Sequence, residues 1–201
     1  MPSDQDIITI VSGIPRSGTS LVMQMLVAAG VPPLVDTARE PDDSNPRGYF
    51  ELADVKRMPR AGTDWVSGAR GRCVKVIHVL LADLPRDERY RVLYVERDLE
   101  EVMDSQDRML ARLGEPAGGL PRARLRQVLE SQSEAARALL DAEPCFEWRA
   151  VSHQELINEP AEAAAEIATF LGREEHLVEM AACVDRLLYR ERRQHGERES
   201  G

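Results

Sequence analysis

Three cations and a run of hydroxyls stand in this chain at spacings that suit an oxyanion ligand. Arg16 lies in GIPRSGTS, Lys75 in VKVIHV, and Arg97 at the end of VLYVER, with Ser105 eight residues beyond it. The stretch from Ile7 to Leu26 reads as an apolar β-branched run, a glycine-bearing turn from Gly13 to Gly18, and then a helical pattern with Leu21, Met25 and Ala28 on one face. Successive N–H groups in such a turn, followed by the open N-terminus of a helix, form a concave positive site for a phosphate or sulfate dianion. Pro15, Arg16, Ser17 and Gly18 make up that turn, and Thr19 and Ser20 add hydroxyls where the helix begins. The turn departs from a Walker A loop at one position. Thr19 stands where the lysine that reaches terminal phosphates belongs, and the cation sits inside the loop, at Arg16.

The elements that must carry these residues follow in alternation. After the first helix, Gly30 and Pro32-Pro33 end the pattern, and residues 33–50 have the polar, turn-rich composition of a loop. This loop brings Asp36, Glu40, Asp42 and Asp43 as carboxylates and Arg39 and Arg47 as substrate contacts, with Glu51 just after it. A helix is expected from Glu51 to Met58 and a second loop from Pro59 to Arg72. Cys73 to Val79 reads as a strand followed by a helical turn ending at Pro85, with Lys75 amid apolar neighbours, where a lysine is uncommon unless it projects into a polar cleft.

Residues 91–96 form another strand and 97–114 an amphipathic helix, which puts Arg97 at a strand end, the edge where open parallel sheets bind ligands. A helix over 121–141 carries Leu125, Val128, Leu129, Ala135 and Leu139 at helical spacing. Strand character returns over 145–151, a helix runs from Pro160 to Gly172, and a last one is expected over 174–188 before a charged tail. Strands alternating with helices predict a parallel sheet of βαβ units, hence an α/β fold in a single domain spanning 1–201.

Bulk properties narrow the classes. At 201 residues the chain is long enough for one well-filled core. A net charge of −9 argues against general nucleic-acid binding, which needs a basic excess. No apolar run approaches the length of a membrane span and no leader pattern is present, so the cytoplasm is the expected location. The three cysteines and four histidines are scattered without metal-ligand spacing.

With these residues in view, the chain resembles the sulfotransferases that use 3′-phosphoadenosine 5′-phosphosulfate (PAPS). GIPRSGTS looks like their 5′-phosphosulfate loop, a P-loop variant with lysine or arginine at the Arg16 position. VLYVERDLEEVMDS is similar to their 3′-phosphate element, which maps onto Arg97 and Ser105, and VKVIHVLLADLP resembles the strand with a catalytic lysine, which maps onto Lys75. SHQELINEPAEAAAEIATFLG is similar to a later segment of the family, in which His153 takes the place of a tyrosine near adenine.

The resemblance implies a three-layer P-loop NTPase-like fold, PAPS as donor and a small-molecule acceptor, with no metal required. It also implies that Arg190, with Arg192 and Arg193, could substitute for a missing basic C-terminal element at the 3′-phosphate. In-line sulfuryl transfer then needs Arg16 and Lys75 at the oxygens that gain charge, and a base for the acceptor hydroxyl. Glu51 is the first choice of base, followed by Glu40, Asp36 and His78. Two other readings are a P-loop kinase using magnesium and ATP, and a non-catalytic nucleotide-binding module.

Overall fold

The computed structural model describes residues 6–36, 50–115 and 119–185. Its centre is a sheet of four parallel strands in the order β2-β1-β3-β4. The strands are β1 (Ile8–Gly13), β2 (Cys73–Lys75), β3 (Tyr90–Glu96) and β4 (Phe146–Ser152). Every residue of β1 is buried, as expected for a central parallel strand covered on both faces, and its run of Ile, Thr and Val is why it reads without polar alternation. Val11 pairs with Lys75 on one side and Leu93 on the other, so the C-terminal ends of β1, β2 and β3 meet at one edge.

The two faces of the sheet are covered by different helices. On one, Ile8, Ile10, Val74, Tyr90, Val92 and Tyr94 pack with Val55 and Met58 of α2 (Ala53–Ala61), and with Ala136 and Leu140 of α4 (Arg122–Ala142). On the other, Val11, Leu93, Val95 and Val151 meet α1 (Thr19–Ala28), α5 (His153–Asn158), α6 (Pro160–Leu171) and α7 (Leu177–Ala182) through Met23, Leu156, Ile167 and Met180. The remaining helix, α3 (Leu99–Leu113), packs against α4 in a smaller cluster of Ile14, Val102, Met103 and Leu129. The result is a three-layer α/β/α arrangement in which Ile14, a residue of the glycine-bearing turn after β1, is anchored by α3 and α4.

Several elements differ from the sequence reading. The strand expected over 73–79 stops at Lys75, and His78–Asp83 turns as a 3₁₀ helix whose Leu81 fills the core beside Val76. The loop expected from Pro59 to Arg72 contains the end of α2, which runs through Pro59 to Ala61, and a second 3₁₀ segment, Asp64–Ala69, which buries Val66. Between β4 and the helix expected from Pro160, His153–Asn158 forms the short helix α5, capped by the Ser152 hydroxyl on the Glu155 N–H. On α4 the buried residues are Leu129, Ala136 and Leu140, so the buried stripe is rotated from the expected one. No helix among the described residues is long and apolar enough to cross a membrane.

Candidate functional site

The site begins where β1 runs out. Gly13 adopts φ 148°, Arg16 φ 75° and Gly18 φ 105°, so the chain turns sharply before α1 starts at Thr19. The Ser17 N–H closes the turn on the Ile14 carbonyl at 3.0 Å. Both glycines are required by neighbours as well as by φ. A Cβ on Gly13 would stand 2.6 Å from the Val95 carbonyl oxygen, and one on Gly18 would run into the His153 imidazole. Gly18 is the N-cap of α1 and supplies no side-chain cap, and the first turn holds no acidic residue. The first N–H groups of a helix have no intrahelical acceptor, and the dipole adds partial positive charge there. Ser17 is fully buried, and its hydroxyl finds no hydrogen-bond partner among the described residues.

The sheet topology delivers cations to this loop from both sides. Lys75, the last residue of β2, donates from Nζ to the Ser20 hydroxyl at 3.4 Å. From the other side Arg97, just past β3, donates from Nη1 to the Arg16 carbonyl at 3.1 Å and from Nε to Glu101 Oε2 at 3.0 Å. Its side chain is only 7% exposed, so the Glu101 carboxylate one turn along α3 is what makes burying this charge tolerable. Arg16 itself reaches across to α3, donating from Nε to the Ser105 hydroxyl at 3.0 Å, with Nη1 4.0 Å from the Met109 sulfur. Ser105 is buried. Asp98, accepting from the N–H groups of Glu100 and Glu101, fixes where α3 starts and therefore that Ser105 faces the loop two turns later.

The two buried histidines near the loop are neutral. Burial lowers the pKa of His78, partly offset by a contact of 3.2 Å between Nε2 and Gln132 Oε1 and by the Gly13 backbone. Burial and the adjacent Arg97 charge bring His153 down to about 3. β2 ends at Lys75, before His78. His78 belongs to the 3₁₀ segment and points toward α4 instead of sharing a strand face with Lys75. His153, a candidate adenine contact by resemblance, packs against Gly18 and buttresses the loop.

Among the candidate bases, Glu51 pairs with Lys56 at 2.6 Å, and its carbonyl accepts from the Asp36 N–H at 3.1 Å. Asp36 accepts in turn from the Ala53 N–H, so both residues fix the start of α2. Glu40, Asp42, Asp43, Arg39, Arg47, Arg190, Arg192 and Arg193 lie outside the described residues.

A cavity of about 370 Å³ opens beside the loop, at the ends of β3 and β4, bordered by Ser17, Arg97, His153 and residues of α4. Sequence reasoning passed over its far wall. Tyr94 and Ser133 join hydroxyls there at 3.0 Å, and Glu96 pairs with Arg137 at 2.7 Å. One signal was available. Ser133 is four residues after Leu129 and three before Ala136, a hydroxyl set in the buried stripe of α4.

No protein-family model matches this chain, and no curated protein matches it in sequence. Among solved structures, the sulfotransferase domain of the olefin synthase from Synechococcus PCC 7002 is similar, with a TM-score of 0.51 and 18% identity. The match covers 95% of this chain and 82% of that one. Similarity at this identity establishes the fold, which is a sulfotransferase-like α/β architecture with a parallel sheet flanked by helices.

Proposed function

We propose that this chain is a sulfotransferase that moves a sulfuryl group from PAPS to a hydroxyl of a small molecule. The observation that carries the reading is the convergence of Arg16, Lys75, Arg97 and Ser105 on one glycine-bearing loop at an uncapped helix N-terminus. Four separate segments supply these groups, and their common chemistry is recognition of an anion bearing more than one charged oxygen cluster.

The donor set fits a phosphosulfate at the loop and a second phosphate beside it. The first-turn N–H groups of α1 with Ser17, Thr19 and Ser20 would hold the 5′-phosphate. Arg97 and Ser105 would hold the 3′-phosphate that distinguishes this donor from ordinary nucleotides. When bound, the donor supplies the sulfuryl group and departs as the 3′,5′-bisphosphate. Arg16 and Lys75 approach the loop from within it and from β2, so between them they can stabilise charge on oxygens at two sides of a transferring group. The Arg16 guanidinium remains charged throughout and acts only as an electrostatic clamp.

The acceptor hydroxyl then requires a base within hydrogen-bond reach. Glu51 remains first choice. It follows Phe50, which packs against the same apolar cluster as Leu21 of the first turn of α1. His78 is neutral, the protonation state a base requires, and Glu51→Gln and His78→Gln separate the two by their effect on kcat. The cytoplasm is the proposed location and a small-molecule hydroxyl compound the proposed partner.

The deciding experiment is calorimetric titration with adenosine 3′,5′-bisphosphate, AMP, and ATP with magnesium. The bisphosphate is expected to bind at least tenfold more tightly than AMP. Preference for ATP with magnesium would replace this reading with a kinase, and bisphosphate binding without transfer to any acceptor would leave a binding module.

A further inference from the structure

The two edges of the sheet are treated differently. At β2 the chain covers itself: Pro33 bridges Cys73, the Leu34 N–H donates to the Cys73 carbonyl, and the Cys73 N–H donates to the Pro32 carbonyl. At the other edge β4 runs for seven residues and, among the described residues, pairs with β3 alone. Because the Tyr90 N–H donates to the Cys145 carbonyl, the register turns the backbone groups of Glu147, Arg149 and Val151 toward β3 and those of Trp148 and Ala150 outward. The Phe146 carbonyl also faces outward, while its N–H donates to the Glu143 carbonyl. No described residue bonds to the outward groups of Trp148 and Ala150. Ala150 is exposed, and neither a proline nor a bulge, two usual protections of an edge, interrupts the strand.

We propose that β4 is a dimer edge, on which a second copy of the chain pairs its own β4 antiparallel about a two-fold axis at Trp148, joining the two sheets into one. The proposal is independent of the proposed function. A two-fold antiparallel pairing must set outward groups against outward groups, which leaves few registers. With the axis at Trp148, Glu147 stands opposite the second copy's Arg149, and Arg149 opposite its Glu147, in the pairs where side chains approach more closely. Moving the axis to Glu147 or Arg149 sets that residue against itself, and axes farther along lose both ion pairs. The charges of the strand are therefore complementary to themselves in one register. In it the Trp148 residues exchange N–H···O bonds, and each Ala150 N–H reaches the other copy's Phe146 carbonyl. Glu147 lies 3.5 Å from Arg91 and Arg149 3.3 Å from Glu166. A row of alternating sign thus crosses the edge, from Arg91 and Glu147 to Arg149 and Glu166 of the second copy. On the other face Trp148, edge-on to Tyr94, meets its counterpart as a cross-strand aromatic pair.

Sedimentation velocity on the full chain over a wide concentration series tests the pairing. A reversible monomer–dimer equilibrium is expected, and because a strand edge buries little surface its dissociation constant should lie in the micromolar range. Glu147→Arg and Arg149→Glu should each weaken dimerisation about tenfold or more, since each sets like charges opposite each other in both pairs. Mixing the two variant chains should restore it, because each then supplies the sign the other lacks, a recovery that a folding defect cannot produce. Both residues are exposed, so the variants are expected to fold, which a thermal melt checks. Ala150→Pro removes an outward donor and no bond to β3, and should abolish the dimer. A wild-type chain that stays monomeric overturns the proposal, whether its Trp148 and Ala150 amides exchange slowly, as beneath another segment of the chain, or rapidly, as at an edge open to a different protein. A dimer that survives both charge reversals, or variants that fail to recover on mixing, overturns it as well.

Discussion

Helices α1 and α3 begin beside adjacent strands of the sheet, yet their N-termini are finished in opposite ways. The start of α3 is closed by its own chain: Asp98 accepts from two backbone N–H groups, and Glu100 and Glu101 fill the first turn with negative charge. The start of α1 has a glycine cap in the left-handed region, no side-chain cap and no acid in its first turn. A helix that must only be stable completes its own positive end, and one that must receive an anion leaves it open. The same division extends to the side chains. Under the proposed function, the anion-binding capacity at α3 would reside in Arg97 and Ser105, whereas at α1 it would reside in the backbone.

Three substitutions test this contrast. Gly18→Ala should have the largest effect, because its Cβ meets the His153 ring and φ 105° disfavours any L side chain. Bisphosphate binding should fall by more than about 100-fold and stability by about 2 kcal/mol or more, read by calorimetry and thermal melting. Intact binding would mean that the loop is not the anion site.

Arg97→Ala should come next. Loss of its charge-assisted hydrogen bonds is worth roughly 2 kcal/mol, or about 30-fold, for the 3′,5′-bisphosphate. AMP, which has no 3′-phosphate, should change little. Since the variant also strands the half-buried Glu101, the ratio of the two affinities is the informative quantity, and an unchanged ratio would remove Arg97 from the 3′-phosphate site. Smallest is Asp98→Ala. It should cost about 1 kcal/mol of stability, as loss of a helix cap does, while leaving that ratio within twofold of the wild type. A changed ratio would mean that the closed end of α3 also takes part in binding.

What could be read from the sequence was what local chemistry decides. The β-branched run of β1, the glycines of the turn and the eight-residue interval from Arg97 to Ser105 all depend on neighbours along the chain. The pairing of Ser105 with Arg16 needed only that α3 fold back over the loop. The strand was carried too far, to Val79, because Val76 is as buried as a strand residue and an apolar run does not reveal where extended chain gives way to a 3₁₀ turn, although the helical turn expected before Pro85 is there as His78–Asp83. The orientation of α4 was misread because its leucines and alanines offer more than one apolar stripe, and contact with the sheet chooses Ala136 and Leu140 while contact with α3 and Ile14 chooses Leu129. The cavity was invisible for the same reason: Glu134 and Ser133 come to line one cavity with Tyr94 and Arg97 only through the α4 packing that the pattern left open.

Arg16 carries one more consequence. It holds φ 75° without being glycine, a conformation that costs an L residue about 1 kcal/mol, and the Arg97 bond to its carbonyl helps keep it there. A glycine at this position would relieve the strain only by surrendering the guanidinium. Stability and charge are therefore in direct opposition at residue 16, and the loop is held by its surroundings in a state that its own backbone does not prefer.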